Sequence, residues 1–223
     1  MSDAPAIEPG AISLIVIAKE PRPGHAKTRL IPELGPEGAA VIARACLEDT
    51  LWAVAETRAA ERVLVLDGEP GDWIPEGAGF RIVAQREGDL DSRLAGAFAD
   101  AGASPAVLVG MDTPQINAGL LEESIARLSA AGTDAVLGPA SDGGYWAIGL
   151  RDAGEGVFDG VPMSADDTGE LQRRRLAELG MSWTELEQLR DIDTIEDARA
   201  VAQVAPWTRC AEVLRRLERE AVR

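Results

Sequence analysis

The sequence predicts a single α/β domain whose central, mostly parallel sheet is covered by helices on both faces. Short apolar runs alternate along the 223 residues with longer stretches of helical periodicity, as expected when strands are joined by helical crossovers. Hydrophobic residues make up 46% of the chain, enough at this length for one sizeable core. We therefore assign residues 1–223 to one domain, with a flexible lead-in at 1–10 and a C-terminal helical segment at 206–223.

Six apolar segments are predicted to be strands. The first, ISLIVIA, is a continuous apolar run, which fits a strand buried on both faces of the sheet. The fifth and sixth are joined by Ser-Asp-Gly-Gly. The predicted strands are 12–18, 62–67, 80–84, 106–110, 134–138 and 145–150.

Six segments between and after these strands are predicted to be helices. The longest opens at Pro36, and its apolar residues recur every four positions from Ala43 to Ala55, as on a helix face that packs against a core. The last carries an apolar stripe that would pack on the chain's own core or on a second subunit, so a homodimer stays open. The predicted helices are 36–59, 90–101, 117–131, 167–179, 194–203 and 208–222.

The composition excludes several classes of function. A formal net charge of −16 would repel a nucleic-acid backbone, so we expect no nucleic-acid partner. No segment has the roughly 20 apolar residues of a membrane helix, and we expect no membrane partner. The N-terminus lacks a signal-peptide core, and Cys46 and Cys210 lack the spacing of metal ligands. These features predict a cytoplasmic protein.

One basic loop stands out in this acidic chain. Lys19 and Lys27 are its only lysines, and both lie in AKEPRPGHAKTRL, directly after the first predicted strand. Arginine and lysine bind phosphate, and Gly24 would let the backbone approach an anion. A solvated basic loop is the alternative. The segment lacks the glycines of a P-loop, and no G-x-G-x-x-G follows the strand, so neither a Walker-type NTPase nor a dinucleotide oxidoreductase is favoured.

Acidic residues follow later strands, at the edge where ligands bind in parallel sheets. Asp112 could hold Mg²⁺ or Mn²⁺, or it could cap a turn before Pro114. Asp142 lies in a Gly-rich segment that also reads as a hairpin turn. Asp191 and Asp193 precede a capping box and could join Asp112 at a metal, but spacing alone does not show that they meet.

Five segments, taken in order, carry a resemblance to a known family. AKEPRPGHAKTRL, QREGDLDSRL, VLVGMDTP, VLGPASDGGYWAIGL and DIDTIEDA resemble the small bacterial GT-A transferases associated with radical-SAM/selenodomain proteins, in the nucleotide-diphospho-sugar transferase superfamily. Some of these segments are also similar to phospholactate guanylyltransferases and molybdenum-cofactor nucleotidyltransferases. The resemblance implies a GT-A, Rossmann-like sandwich that takes a nucleotide or nucleotide-sugar donor and a small-molecule acceptor.

The resemblance also implies roles for individual residues. Nucleotide and phosphate contacts fall on Ala18, Lys19, Gly24, Lys27, Arg29 and Arg93. Asp112 and Asp193 would hold Mg²⁺ or Mn²⁺, and Lys27, Asp112 and Asp142 would be catalytic. The acceptor pocket would comprise Asp142, Gly143, Gly144 and Tyr145. The chain departs from the family at Asp91, where glycine is usual, which puts the role of Arg93 in question, and at Met163, where an aromatic residue is more common.

Two reactions fit these features about equally. An acceptor phosphate could attack the α-phosphate of a nucleoside triphosphate, or an acceptor could attack the anomeric carbon of a nucleotide-sugar. In both, charge on the leaving group would be neutralised electrostatically. The alternative from another class is a non-catalytic nucleotide-binding module that regulates a partner.

Overall fold

The computed structural model describes residues 4–102, 105–154, 156–163 and 166–221. Within these residues, seven strands form one sheet in the order β3-β2-β1-β4-β6-β5-β7. The strands are β1 Ser13–Lys19, β2 Arg62–Asp67, β3 Phe80–Ala84, β4 Ala106–Gly110, β5 Ala135–Pro139, β6 Tyr145–Leu150 and β7 Trp183–Glu185. The α-helices are α1 Ile31–Glu56, α2 Leu90–Ala101, α3 Ala118–Ser129, α4 Thr168–Glu178, α5 Ile195–Val204 and α6 Arg209–Ala221.

The sheet is mostly parallel, as predicted. Strands β1 to β4 run parallel to one another, and β6 is antiparallel to both of its neighbours, β4 and β5. Because β6 is the one reversed strand of this sheet, the ends of β1 to β5 and the start of β6 meet at one edge. That edge is where ligands bind in sheets of this kind.

Helices cover both faces of the sheet. Leu14 and Val16 of β1 belong to the core shared with α1 and α3, whereas Ile15 belongs to the core shared with α2 and α4. The continuous apolar run of β1 is explained by this double burial, since both sets of alternating side chains meet a helical layer. The predicted α/β sandwich of the GT-A, Rossmann-like type is confirmed.

Two elements differ from the sequence expectation. Helix α1 begins at Ile31, but Gly35 interrupts it with a φ of 70°, and regular helix resumes at the predicted Pro36. Strand β7 was not predicted. It has three residues and pairs with β5 at the sheet edge, and three residues are too few to show an alternating pattern.

Helix α6 packs on the chain's own core. Cys210 and Leu214 join a buried cluster with α1 and α5, and the Sγ atoms of Cys46 and Cys210 lie 3.4 Å apart. The carboxylate of Asp49 in α1 accepts hydrogen bonds from the backbone N–H groups of Arg209 and Cys210, each at 3.0 Å. A carboxylate there satisfies N–H groups that the first turn of a helix leaves without partners.

The lead-in also contacts the fold. The backbone N–H of Ile7 donates to the carbonyl of Ser129 at 3.0 Å, and that of Gly132 donates to the carbonyl of Ala4 at 2.9 Å. No helix within the described ranges is long and apolar enough to span a bilayer.

Candidate functional site

A cleft of about 690 Å³ opens at the edge where the parallel strands end. Its lining includes the last residues of β1 and β4, the segment after β3 and the start of β6. The sheet order gives the cleft two ends. Residues after β1 and β3 form one end, and residues of the β5–β6 turn and the start of α4 form the other. After the roles that the family resemblance implies, we call them the donor end and the acceptor end.

The cleft brings together most of the residues singled out in the sequence. Two predicted glycines, Gly24 and Gly143, are not among the lining residues. The predicted residues that line the cleft are Ala18, Lys19, Lys27, Arg29, Arg93, Asp112, Asp142, Gly144, Tyr145 and Asp193.

Lys27 occupies the middle of this arrangement and is almost completely buried. Its side chain is 3% exposed, and its Nζ lies 2.6 Å from Oδ1 of Asp112 and 3.9 Å from Oδ1 of Asp193. The same ammonium donates a hydrogen bond to the carbonyl of Ile192. Lys27 thus ties the basic loop to two separate acidic loops.

The backbone and charge state of Lys27 are both set by this position. Its φ is 52°, and among the described residues it is the only non-glycine with a positive φ. Such a conformation in a long side chain is uncommon and is held by surrounding contacts. Burial lowers the pKa of the ammonium, but the charges of Asp112 and Asp193 outweigh this and the pKa is raised. Lys27 is therefore cationic at neutral pH.

A second ion pair lies beside the first but is open to solvent. NH1 of Arg29 is 2.8 Å from Oδ2 of Asp193, with 70% of the arginine side chain and 43% of the aspartate side chain exposed. A guanidinium in such a position can exchange one anionic partner for another.

The two acidic loops are fastened to each other as well as to Lys27. The backbone N–H of Ile192 donates to the carbonyl of Asp112 at 2.9 Å, and the hydroxyl of Thr113 donates to the carboxylate of Asp191. Burial, together with the charges of Asp112 and Asp142, raises the pKa of Asp191 to about 6. The sequence left open whether these loops meet, and the structure places them together.

The donor set fits a hard divalent cation that also binds phosphate. No group of three or more His, Cys, Asp or Glu side chains that could hold a metal occurs in the described part of the chain. Mg²⁺, however, is commonly held by one or two carboxylates and completes its shell with waters and substrate phosphates. The side chains of Asp112 and Asp193 are 46% and 43% exposed, so they could provide two carboxylate ligands of a cation whose other ligands are waters and phosphates.

The β5–β6 turn gives the acceptor end a fixed wall. Oδ1 of Asp142 accepts a hydrogen bond from the backbone N–H of Gly144 at 3.0 Å, as in an Asx turn. Gly143 has a φ of 90°, and a Cβ there would lie 1.8 Å from the carbonyl oxygen of Asp166. The backbone N–H of Gly169 donates to the carbonyl of Gly143 at 2.8 Å. Gly143 therefore shapes the wall without lining the cleft.

Tyr145 completes this end of the cleft. Its hydroxyl, which has one hydrogen to donate, lies 3.3 Å from Oε1 of Gln172 and 3.7 Å from Sδ of Met163. Burial raises the pKa of this hydroxyl. Tyr145 is thus a neutral hydrogen-bonding side chain at neutral pH rather than a base.

At the donor end, Gln85 is a residue that the sequence reasoning missed. It directly follows β3 and lines the cleft, and both polar atoms of its amide are buried without a hydrogen-bond partner among the described residues. A buried amide without partners is costly and calls for an explanation. The rule that ligands bind at strand ends would have identified Gln85, because it follows β3 as Lys19 ends β1.

Arg93 also faces the donor end. Its NH2 lies 3.6 Å from Oδ2 of Asp67, and its side chain is 19% exposed. Nε2 of His25 lies 3.7 Å from the same carboxylate oxygen. Although Asp91 replaces the glycine that is usual in the family, the side chain of Arg93 in α2 still lines the cleft.

Residues 50–165 match the model of a family described as uncharacterized proteins conserved in bacteria, DUF2064. No curated protein matches the chain. A solved structure from Desulfovibrio desulfuricans G20, provisionally described as a nucleotide-diphospho-sugar transferase, is 26% identical with a TM-score of 0.82 and covers 94% of this chain and 97% of its own.

More distant solved structures share the fold. A cytidylyltransferase from Leptospira borgpetersenii serovar Hardjo-bovis is 14% identical with a TM-score of 0.59, over 95% of each chain. A CMP:2-keto-3-deoxy-manno-octonic acid synthetase complexed with CTP is 11% identical with a TM-score of 0.57, over 87% of this chain and 99% of its own.

Proposed function

The chain belongs to the DUF2064 family of bacterial proteins, and from the chemistry of its cleft we propose that it is a metal-dependent transferase that uses a nucleotide-activated donor. One observation carries this proposal: Lys27 and Arg29 meet Asp112 and Asp193 in a single cavity at the carboxyl edge of the sheet. Cations and exposed carboxylates so close together are suited to a ligand that is bound as a metal–phosphate complex.

The donor end offers contacts for each part of a nucleotide. Lys19, Arg29 and Arg93 line it and would bind phosphate oxygens. The amide of Gln85 provides a donor and an acceptor side by side, which can pair with the edge of a nucleobase. A base bound there would satisfy the two polar atoms of Gln85 that have no partner among the described residues.

We favour glycosyl transfer from a nucleoside-diphosphate sugar. The basic loop suggested a triphosphate, but Lys27 is engaged by Asp112 and therefore offers less free charge to phosphate than its position in the sequence implied. The Desulfovibrio protein, whose likeness extends over nearly the whole chain, carries a provisional description as a nucleotide-diphospho-sugar transferase. Both observations support a donor with two phosphates.

In this reaction an acceptor hydroxyl oxygen forms a bond to the anomeric carbon, and the bond from that carbon to the diphosphate breaks. The nucleoside diphosphate leaves with the electron pair, and the hydroxyl proton passes to a carboxylate such as Asp142 and then to water. Asp112 and Asp193 would hold Mg²⁺ or Mn²⁺ with the phosphate oxygens, which supplies positive charge against the leaving group. Lys27 keeps Asp112 in place, and Arg29 can turn from Asp193 to a phosphate.

Nucleotidyl transfer is the second candidate. It is favoured by the number of cations at the donor end, since Lys19, Arg29 and Arg93 together suit a more highly charged triphosphate. The released product separates the two reactions, because nucleotidyl transfer yields pyrophosphate and glycosyl transfer yields a nucleoside diphosphate.

Thermal unfolding with a panel of nucleoside triphosphates and nucleotide-sugars, in Mg²⁺ or EDTA, tests the proposal. A ligand at 100 times its Kd adds about 2.7 kcal/mol of stability. We expect such a shift with a nucleotide-sugar and Mg²⁺, its loss in Asp112→Asn, and its retention in Asp152→Asn, which removes an exposed carboxylate outside the cleft. No shift with any nucleotide would reject the proposal, and binding without release of either product would favour the non-catalytic module.

A further inference from the structure

The charged groups of the cleft are divided between its two ends. All lysine, arginine and histidine side chains that line it, among the described residues, come from the end of β1, the loop after β1 and α2, at positions 19 to 93. The acceptor end, on the β6 side of the sheet, is lined instead by residues that include Asp142, Asp166 and Tyr145. Asp112, after the central β4, lies between the two ends.

Among the described residues, no lysine, arginine or histidine lines the cleft at the acceptor end. Arg173 of α4 lies nearby, with NH1 3.5 Å from where a Cβ on Gly169 would stand. It does not line the cleft, and its Nε and NH2 are held by the carboxylate of Glu185 at 2.8 Å and 3.1 Å. The carboxylate of Asp191, which accepts a hydrogen bond from the hydroxyl of Thr113, also lines the cleft and adds a further acidic group.

Among the described residues that line this end, the amino terminus of α4 is the feature that could attract an anion. Its Gly169 N–H, however, is already donated to the carbonyl of Gly143 at 2.8 Å. Asp166 and Asp167 stand directly before the helix, and their negative charges offset the helix dipole. The close contact between Gly143 and Asp166 fixes this arrangement.

Resting on the proposed function, we infer that the acceptor is an uncharged or cationic molecule that attacks through a hydroxyl or amine, and that it carries no phosphate near the reacting group. A phosphate placed among Asp142, Asp166 and Tyr145 would meet like charges without a counterion, which is strongly unfavourable. A polyol or an amino alcohol would instead donate hydrogen bonds to the same carboxylates.

Calorimetry on the nucleotide-loaded protein tests the inference. The protein is first saturated with nucleoside diphosphate and Mg²⁺, and matched pairs are then titrated: glycerol and glycerol 3-phosphate, glucose and glucose 6-phosphate, ethanolamine and phosphoethanolamine. We expect each phosphorylated member to bind about tenfold or more weakly than its partner, or not at all. We also expect Asp142→Asn/Asp166→Asn to bind the phosphorylated members more tightly than the wild type does.

The matched control is Glu122→Gln/Asp152→Asn, which makes the same change in net charge at exposed positions outside the cleft and should leave phosphate binding as in the wild type. The inference is overturned if a phosphorylated member binds the wild type as tightly as its partner, or if the cleft double variant leaves phosphate binding unchanged. Failure of the first step, nucleotide binding itself, would instead reject the proposed function.

Discussion

Two ion pairs stand side by side in the cleft, and only one of them includes a buried side chain. Lys27 is 3% exposed and pairs with Asp112, whose carboxylate is 46% exposed, whereas Arg29 is 70% exposed and pairs with Asp193, which is 43% exposed. The buried ammonium is held in place by its ion pair with Asp112 and its hydrogen bond to the carbonyl of Ile192. The exposed guanidinium can leave its partner at little cost.

This difference in burial distinguishes a residue that positions the acidic loops from a residue that is available to bind a ligand. Removing one member of a buried pair leaves the other without compensation, whereas an exposed pair contributes little to stability. We expect Lys27 to hold the acidic loops in place whether or not a ligand is bound. Arg29, by contrast, is available to exchange Asp193 for a phosphate.

The largest change in stability is expected from Lys27→Met, which removes the ammonium and keeps an unbranched side chain that is one atom shorter. Breaking a fully buried pair costs about 3–5 kcal/mol. Since Asp112 is 46% exposed and can be hydrated, we expect a smaller loss of about 1–3 kcal/mol in the free energy of unfolding, measured by urea denaturation without nucleotide.

Mg²⁺ provides an internal check on Lys27→Met. With the ammonium gone, a divalent cation can take its place between Asp112 and Asp193, so added Mg²⁺ should recover part of the lost stability in this variant and have less effect on the wild type. Stability equal to that of the wild type would contradict a positioning role for Lys27.

Gln85→Leu is expected to act in the opposite direction on the free protein. Replacing an amide whose polar atoms are buried without described partners removes a desolvation cost and should raise the free energy of unfolding by about 1 kcal/mol. The same change should weaken nucleotide binding, as titration calorimetry would show. Gln115→Leu is the matched control, because the buried Oε1 of Gln115 also has no described partner but does not line the cleft. If Gln85→Leu kept full nucleotide affinity, the assignment of Gln85 to the nucleobase would fail.

The sequence allowed the sheet and its binding edge to be predicted, because burial on two faces requires continuous apolar strands and because parallel strands end together. It did not reveal that Lys27 is buried. A lysine in a polar loop looks exposed in sequence, and its left-handed backbone and contact with Asp112 arise from residues 85 and 165 positions apart. The place of Gln85 after β3 could have indicated that it lines the cleft, but the lack of partners for its amide is visible only in three dimensions.

Outside the cleft, Asp49 and Arg209 form an ion pair in which the carboxylate, rather than the cation, is the buried member. Here the carboxylate is 7% exposed and the guanidinium 45% exposed. Burial raises the pKa of Asp49, although hydrogen bonds from Cys210 and Arg209 oppose the shift. A carboxyl group whose pKa is higher in the folded state favours folding below its unfolded pKa of about 3.9, and that contribution is lost as the pH rises through the folded pKa.

Asp49→Asn removes this titration, so the stability of the variant relative to the wild type should improve as the pH rises from below that unfolded pKa to neutrality. Denaturation at both ends of that range measures the difference. An unchanged difference would mean that the hydrogen bonds to α6 fully offset the burial of the carboxylate.

The smallest change in stability is expected from Arg29→Ala. An exposed ion pair is worth about 0.2–1 kcal/mol, and the loss of this one should lie at the low end because 70% of the arginine side chain is in solvent. Nucleotide affinity should fall by contrast, and it should fall most at low salt, where an exposed charge is least screened. Measuring the free energy of unfolding and the nucleotide affinity of Arg29→Ala and Lys27→Met tests whether Lys27 positions the loops and Arg29 binds the ligand. Equal losses of stability in the two variants would show that burial does not distinguish the pairs, which would contradict the positioning role of Lys27.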